Sequence, residues 1–327
     1  MPANLPPEYF VAEKRFREAK SIPEKIAALE AMLAIMPHHK GTDKLRATLR
    51  RKLAKLREEG EQRRGRGGRG DLYTVRKEGA GQVAMAGMPN AGKSQLLASL
   101  TNATPEVAEY PFTTQLPQAG MIPYENIKIQ LVDLPPLSPD HVEPWVFNIL
   151  RGADLLLVVL DLSHDPLGEL ETLREMMRGQ RIVILGLDEA GEEWGLYPKK
   201  AIIVGNKGDL DPEGENLTVL RELYGEGVPM IQVSAKEGRG LEELKRKVFS
   251  MLDIVRVYPK PPGKQPDMSN PVILRKGSTV EDLAEEIHKD FVKKLRYARI
   301  WGSARFDGQR VHRDWPLSDG DIVELHI

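Results

Sequence analysis

Eight residues from Gly87 to Ser94, GMPNAGKS, fit the pattern G-x-x-x-x-G-K-S and follow a short apolar run. In such a loop, glycines let backbone N–H groups close on phosphate oxygens, a lysine reaches the β and γ oxygens and a hydroxyl ligates Mg²⁺. Asn90, Ala91, Gly92, Lys93, Ser94 and Gln95 are therefore candidate nucleotide contacts, with Ser94 a metal ligand. This loop alone does not separate ATP from GTP. NKGD, Asn206 to Asp209, does, because it follows the apolar run AIIVG. A carboxylate at Asp209 can accept from the guanine N1–H and exocyclic amine, which adenine does not offer. The aliphatic stem of Lys207 can lie along the base. Further on, SAK (Ser234, Ala235, Lys236) is positioned for the Ala235 N–H to donate to guanine O6. The three strings in this order point to a guanine nucleotide, with Asn206 completing the base site.

The elements that must position these loops are short β-branched runs alternating with helical patterns. Strands are expected at Gln82–Ala86, Ile127–Asp133, Asp154–Asp161, Arg181–Leu185, Ala201–Gly205 and Met230–Ser234. Such alternation predicts an α/β fold, a mostly parallel doubly wound sheet with helices on both faces, over residues 71–255. Upstream, the spacing Ile22, Ile26, Leu29, Leu33, Met36 and then Leu45, Leu49, Leu53, Leu56 predicts a helical hairpin within residues 1–70. Ser21 with Glu24 is a capping box at its start. Downstream, the prolines of residues 256–266 read as a stiff linker, and residues 267–327 as a small α+β unit. Its expected parts are a strand at Pro271–Arg275, a capping box of Ser278 with Glu281, a helix burying Val280, Leu283, Ile287 and Phe291, and a final strand Asp321–Ile327.

Composition bounds the remaining choices. With 327 residues, 41% hydrophobic and 29% charged, the chain suits two or three globular domains. The absence of cysteine excludes disulfides, thiolate metal sites and thiol catalysis, and fits a reducing compartment. The apolar run Leu155–Leu160 is too short to span a bilayer. Without a leader-like N-terminus, a cytoplasmic protein with no membrane partner is expected. The net charge of −1 excludes a global basic field. Two segments are locally basic. Residues 40–69 hold twelve Lys/Arg against four acids, and residues 289–313 hold eight against two, with Tyr297, Trp301 and Phe306 interleaved. Each suits contact with structured RNA and equally a solvated face.

The string TNATPEVAEYPFTTQLPQAG, Thr101 to Gly120, resembles the switch region of the Obg-like GTPases, especially the developmentally regulated GTP-binding proteins. KGTDKLRATLRRKLAKLREE resembles the basic helical start of that family, and the last segment resembles the TGS domain, a ubiquitin-like β-grasp module. The resemblance implies a Ras-like P-loop G domain binding GTP and GDP and hydrolysing GTP with Mg²⁺. Thr114 would ligate Mg²⁺ and sense the γ-phosphate, with Thr113 the weaker candidate, and Asp133 would hold Mg²⁺ through water. Lys93, Thr114 and Asn90 would then be the catalytic residues. At Asn90 the family implies a K⁺ ligand, while a turn-forming Asn after Pro89 explains the residue without an ion. The family further implies the ribosome or another structured RNA as partner. A protein partner held through the TGS domain, by a guanine-nucleotide-sensing scaffold with little or no hydrolysis, is the alternative.

Two departures qualify the transfer. The 45-position step from Asp161 to Asn206 leaves little room for the extra segment those relatives carry. The third motif reads DLPP, so Pro136 stands where a glycine N–H would meet the γ-phosphate, and Pro has no N–H. Leu137 follows, where Ras-type enzymes place a water-orienting glutamine. Slow hydrolysis and similar affinities for GTP and GDP are therefore expected.

Overall fold

The computed structural model describes Leu29, Met32, Leu33, Leu49, Lys52 and residues 73–101, 116–140, 142–188 and 194–327. In the first unit, Met1–Thr74, the described Leu29, Met32, Leu33, Leu49 and Lys52 are helical, and Leu29, Met32 and Leu49 are buried. The rest of the expected hairpin, with Ser21, Glu24 and the glycine-rich run, lies outside the described residues.

The second unit, Val75–Ile327, contains two larger sheets and a small strand pair. The first sheet is formed by β1 (Gln82–Ala86), β2 (Gln118–Tyr124), β3 (Ile127–Asp133), β4 (Leu155–Asp161), β7 (Ala201–Asn206) and β8 (Met230–Gln232). Its order is β2-β3-β1-β4-β7-β8, parallel except for the antiparallel edge strand β2. Strands β1, β4 and β7 are buried along their whole length, as the apolar, β-branched runs require when helices cover both faces. Helices α1 (Lys93–Thr101) and α5 (Leu241–Met251) contribute Leu96, Leu100, Leu244 and Val248 to one core layer. Helices α2 (Pro144–Gly152), α3 (Pro166–Gly179) and α4 (Glu215–Tyr224) contribute Leu150, Leu170, Leu173 and Leu220 to the other. The 3–4 spacing of these residues is what makes each helix one-sided. At the start of α3, Asp165 accepts from the Gly168 N–H at 2.9 Å and Pro166 occupies the first turn. Between α3 and β7 the chain forms a parallel pair, β5 (Ile182–Ile184) with β6 (Tyr197–Lys199).

The second sheet has the order β10-β9-β13-β11-β12. Its strands are β9 (Ile254–Pro259), β10 (Val272–Arg275), β11 (Tyr297–Trp301), β12 (Gln309–Val311) and β13 (Ile322–His326). β9 and β13 run parallel at its centre and α6 (Val280–Ile287) crosses it, which is a β-grasp. The proline-rich stretch expected as a linker from residue 256 therefore begins as a strand. Val255 and Val257 point into the core, and Pro259 is tolerated because it ends the strand. The capping box also lies one residue later than expected: Thr279 accepts from the Asp282 N–H, and Asp282 accepts from the Thr279 N–H at 2.7 Å. The expected helix breaks at His288 into α6 and the short α7 (Lys289–Lys294).

Candidate functional site

The C-terminal ends of β1, β3, β4, β7 and β8 share one edge of the sheet, where doubly wound folds bind ligands. The loop from Gly87 to Ser94 joins β1 to α1. A Cβ on Gly87 would sit 2.6 Å from the Val159 carbonyl oxygen, and one on Gly92 would sit 2.3 Å from Asn206 Nδ2, so both glycines are sterically required. Gly92 and Asn90 have φ of 84° and 65°, and this pair of left-handed residues turns the loop back on itself. Asn tolerates that conformation better than most side chains, so Asn90 has a backbone role independent of any ion.

Lys93 is 7% exposed and donates to the carbonyls of Gly87 at 3.0 Å and Met88 at 3.2 Å. Burial pushes its ammonium pKa down, opposed by the charges of Asp133 and Glu169. Ser94 Oγ donates to Asp133 Oδ2 at 2.6 Å. The second oxygen of that carboxylate, Oδ1, is buried without a hydrogen-bond partner among the described residues. Burial raises the Asp133 carboxyl above the usual range, despite the Ser94 hydrogen bond and the Lys93 charge. A buried carboxylate oxygen without a donor is costly. A hydroxyl and a carboxylate so arranged fit a hard divalent cation such as Mg²⁺.

On the other side of the crevice, Asn206 ties two loops together. Its Nδ2 donates to the Ala91 carbonyl at 2.9 Å, and its Oδ1 accepts from the Ala235 N–H at 3.1 Å. The Ala235 N–H expected to face guanine O6 is thus engaged by Asn206. Ser234 Oγ donates to Asp209 Oδ1 at 2.7 Å and, with some opposition from desolvation, holds that carboxyl below its ordinary pKa, ionised and ready to accept. Lys207 is left-handed at φ 61° and pairs with Asp161. Such a backbone costs roughly 1 kcal/mol for a residue with a side chain, a cost typical of functional sites. Gln95 and Lys236 are exposed at the margins of the two loops. Thr113 and Thr114 lie outside the described residues.

After β3, Leu137 is 1% exposed and packs in the core layer that holds Val146 and Phe147. Its N–H donates to the Gly87 carbonyl at 3.1 Å. The position that would orient water in a Ras-type site is therefore a core residue. Sequence reasoning missed four residues that shape the base loops. Gln232 Nε2 donates to the Asp211 carbonyl at 2.7 Å, and Asp211 accepts from the Glu215 N–H at the start of α4. Asp161 pairs with Lys207, and Ser163 donates its hydroxyl to Asp161 at 2.6 Å. Asp161 and Asp211 are buried and Gln232 and Ser163 partly so, in or beside the loops that follow the strands, and isolated polar residues of this kind are a weak signal in one sequence.

The site and the two sheets define a P-loop GTPase domain joined to a TGS domain. Residues 82–187 match the family described as 50S ribosome-binding GTPase, and residues 255–327 match the TGS domain family. Among solved structures, a GTP-binding protein from Pyrococcus horikoshii OT3 superposes with a TM-score of 0.52 at 20% identity, covering 75% of this chain and 99% of its own. The Schizosaccharomyces pombe YchF GTPase gives 0.50 at 14% identity, covering 77% and 99%. Both share the fold. An uncharacterized GTP-binding protein of Methanocaldococcus jannaschii is 35% identical, with 95% of this chain and 94% of the relative covered. The developmentally-regulated G-protein 3 of Arabidopsis thaliana is 30% identical, with 93% and 98% covered. The chain belongs to the developmentally regulated GTP-binding protein family, as a GTP-binding protein with a GTPase domain and a TGS domain. The alignment to the M. jannaschii relative runs over 369 residues, more than the 327 of this chain, so that relative carries residues without a counterpart here. Among the described residues no helix is long and apolar enough to cross a membrane.

Proposed function

We propose that this chain is a GTP-binding switch with slow, Mg²⁺-dependent hydrolysis that acts on the ribosome or another structured RNA. The observation that carries the nucleotide reading is Asp133 Oδ1, buried without a hydrogen-bond partner among the described residues, on the carboxylate that Ser94 meets at the end of the loop that buries Lys93. Ser94 and Thr114 would ligate Mg²⁺ and Asp133 would hold it through water, and the ion would supply neutralisation of phosphate charge. Lys93 exchanges its two loop carbonyls for the β and γ oxygens. Asp209 reads the guanine edge, the Lys207 stem lies along the base, and Asn206 keeps the phosphate and base loops in register. Pro136 offers no N–H and Leu137 is committed to the core, so Thr114 is the main γ-phosphate sensor. These two residues also favour a second reading, a nucleotide-sensing scaffold with little hydrolysis that holds a protein through the TGS domain.

The partner reading rests on local charge and on the description of the matched family. On the TGS sheet, Arg299 and Arg310 are exposed and directly opposite one another on β11 and β12. Such like-charge pairs repel unless an anion joins them. Arg310 covers the Tyr297 ring at 4.0 Å, His326 stacks on Tyr297 at 4.4 Å, and Lys260 covers Trp301 at 4.9 Å. These rings are taken by cations, which favours contact with phosphates over stacking with bases.

The experiment is GTP turnover by the purified protein in K⁺ and in Na⁺, with and without ribosomes, together with co-sedimentation over a salt series. Ribosome binding that weakens steeply with salt is expected. No nucleotide-dependent association at low salt refutes the RNA reading, and equal rates in the two salts refute an ion role for Asn90.

A further inference from the structure

We propose that Asp161 is a positioning residue of the guanine site, tethering the Lys207 ammonium so that only the methylene stem of that lysine is presented to the base. The inference rests on the assignment of Asn206 to Asp209 as the base loop. Asp161 ends β4 and pairs in register with Asn206, the last residue of β7. Its side chain is 4% exposed against 31% for Lys207, so the acid is the fixed partner and the lysine the one that reaches the crevice. One carboxylate oxygen accepts from the Ser163 N–H at 2.9 Å and the Ser163 hydroxyl at 2.6 Å, and the other takes the Lys207 ammonium. The backbone N–H of Asp161 donates to Glu169 Oε2 on α3 at 3.0 Å, which anchors the strand end from the opposite side. Burial alone would raise the Asp161 carboxyl, but the hydrogen bonds from Lys207 and Ser163 hold it below its ordinary value, so it stays ionised.

Two features separate this pair from an ordinary structural ion pair. Lys207 is left-handed, a conformation that persists only where the surroundings over-determine it. Its neighbours are also fixed, because the Gly208 N–H donates to the Val233 carbonyl at 2.9 Å and Asn206 is bonded on both sides. With backbone and ammonium both held, the side chain arches between them. An aliphatic arch beside the Asp209 carboxylate suits the face of a planar base.

The test is a double-mutant cycle read as GDP affinity by calorimetry, with thermal melting of each apo variant. Asp161→Asn should weaken GDP about tenfold, the scale of one charge-assisted hydrogen bond. In a Lys207→Ala background the same change should shift affinity by less than about twofold, because the tether has nothing left to hold. Wild-type affinity in Asp161→Asn overturns the inference, and so does an equal loss in both backgrounds, which would mark a general structural role. Should Asp161→Asn not fold, Ser163→Ala loosens the same carboxylate. Its loss, roughly threefold, must again vanish with Lys207→Ala, and an additive loss overturns the inference. A wild-type protein that binds no guanine nucleotide would instead overturn the base-loop assignment, and the inference with it.

Discussion

On the proposed reading, base choice turns on Asp209. Its carboxylate is ionised and held by Ser234 at 2.7 Å, leaving its remaining lone pairs to accept from the guanine edge. Asp209→Asn exchanges an acceptor pair for an acceptor and a donor. Calorimetry should show guanine-nucleotide affinity falling by roughly a hundredfold and xanthine-nucleotide affinity rising. On the same reading, the phosphate end depends on Ser94 and Asp133. Ser94→Ala should abolish the Mg²⁺-dependent part of GDP binding and leave the residual Mg²⁺-free affinity within about threefold, since the alanine keeps the loop backbone. Side-chain chemistry at these positions was legible in the sequence because each residue sits in a short fixed string. The engagement of the Ala235 N–H by Asn206 was not, since it joins residues 29 apart in the chain. The burial of Leu137 was equally hidden, because an aliphatic residue in a loop does not declare whether it faces the core or the ligand.

At the scale of elements, the β2–β3 hairpin docks on the TGS domain. Arg256 on β9 bonds Asp319 through Nε at 3.0 Å and Nη2 at 2.7 Å, and also reaches Glu125 and Asn126 in the β2–β3 turn. Its guanidinium lies 4.8 Å from the centre of Phe249, which stacks on Tyr124. The Arg256 hydrogen bonds, against some burial, hold the Asp319 carboxyl below its ordinary 3.8. A carboxyl depressed on folding stabilises the native state above its unfolded value, and that contribution is lost as pH falls through the lower folded value. Asp319→Asn should therefore cost roughly 1 kcal/mol near neutral pH after screening by solvent. In urea titrations the gap between variant and wild type should close below about pH 4. The central strands were legible as apolar runs. β2 was not, because Gly120 and Pro123 break its pattern, and a proline is tolerated there only at a sheet edge. The shift of the capping box to Thr279 has a similar origin: both Ser278 and Thr279 have an acid three residues on, and the need to bury Val280 on the first turn decides between them.

At the scale of the whole molecule, the G domain is joined to a TGS module whose sheet carries the exposed, facing arginines Arg299 and Arg310. The double substitution Arg299→Glu with Arg310→Glu should weaken ribosome association and flatten its salt dependence, because phosphate contacts set that slope. GDP affinity should be unchanged, since both side chains are exposed and on the TGS sheet, while the melting temperature should fall somewhat as Arg310 leaves the Tyr297 ring and Arg299 no longer faces Glu324. The order of domains was legible from composition and motif order; the path from β3 into the TGS sheet was not, because Arg256 and Glu125 are 131 residues apart. On the function proposed above, the protein distinguishes GTP from GDP mainly through Thr114, with Pro136 silent. The most direct measurement is the ratio of Kd values for GDP and a non-hydrolysable GTP analogue, paired with single-turnover hydrolysis, in the wild-type protein and in Pro136→Gly. The expected result is a wild-type ratio near unity with slow turnover, and a ratio raised about tenfold in Pro136→Gly as one N–H donor to the γ-phosphate is restored. A wild-type protein that already prefers GTP strongly, and hydrolyses it as fast as a relative with glycine at this position, would contradict it.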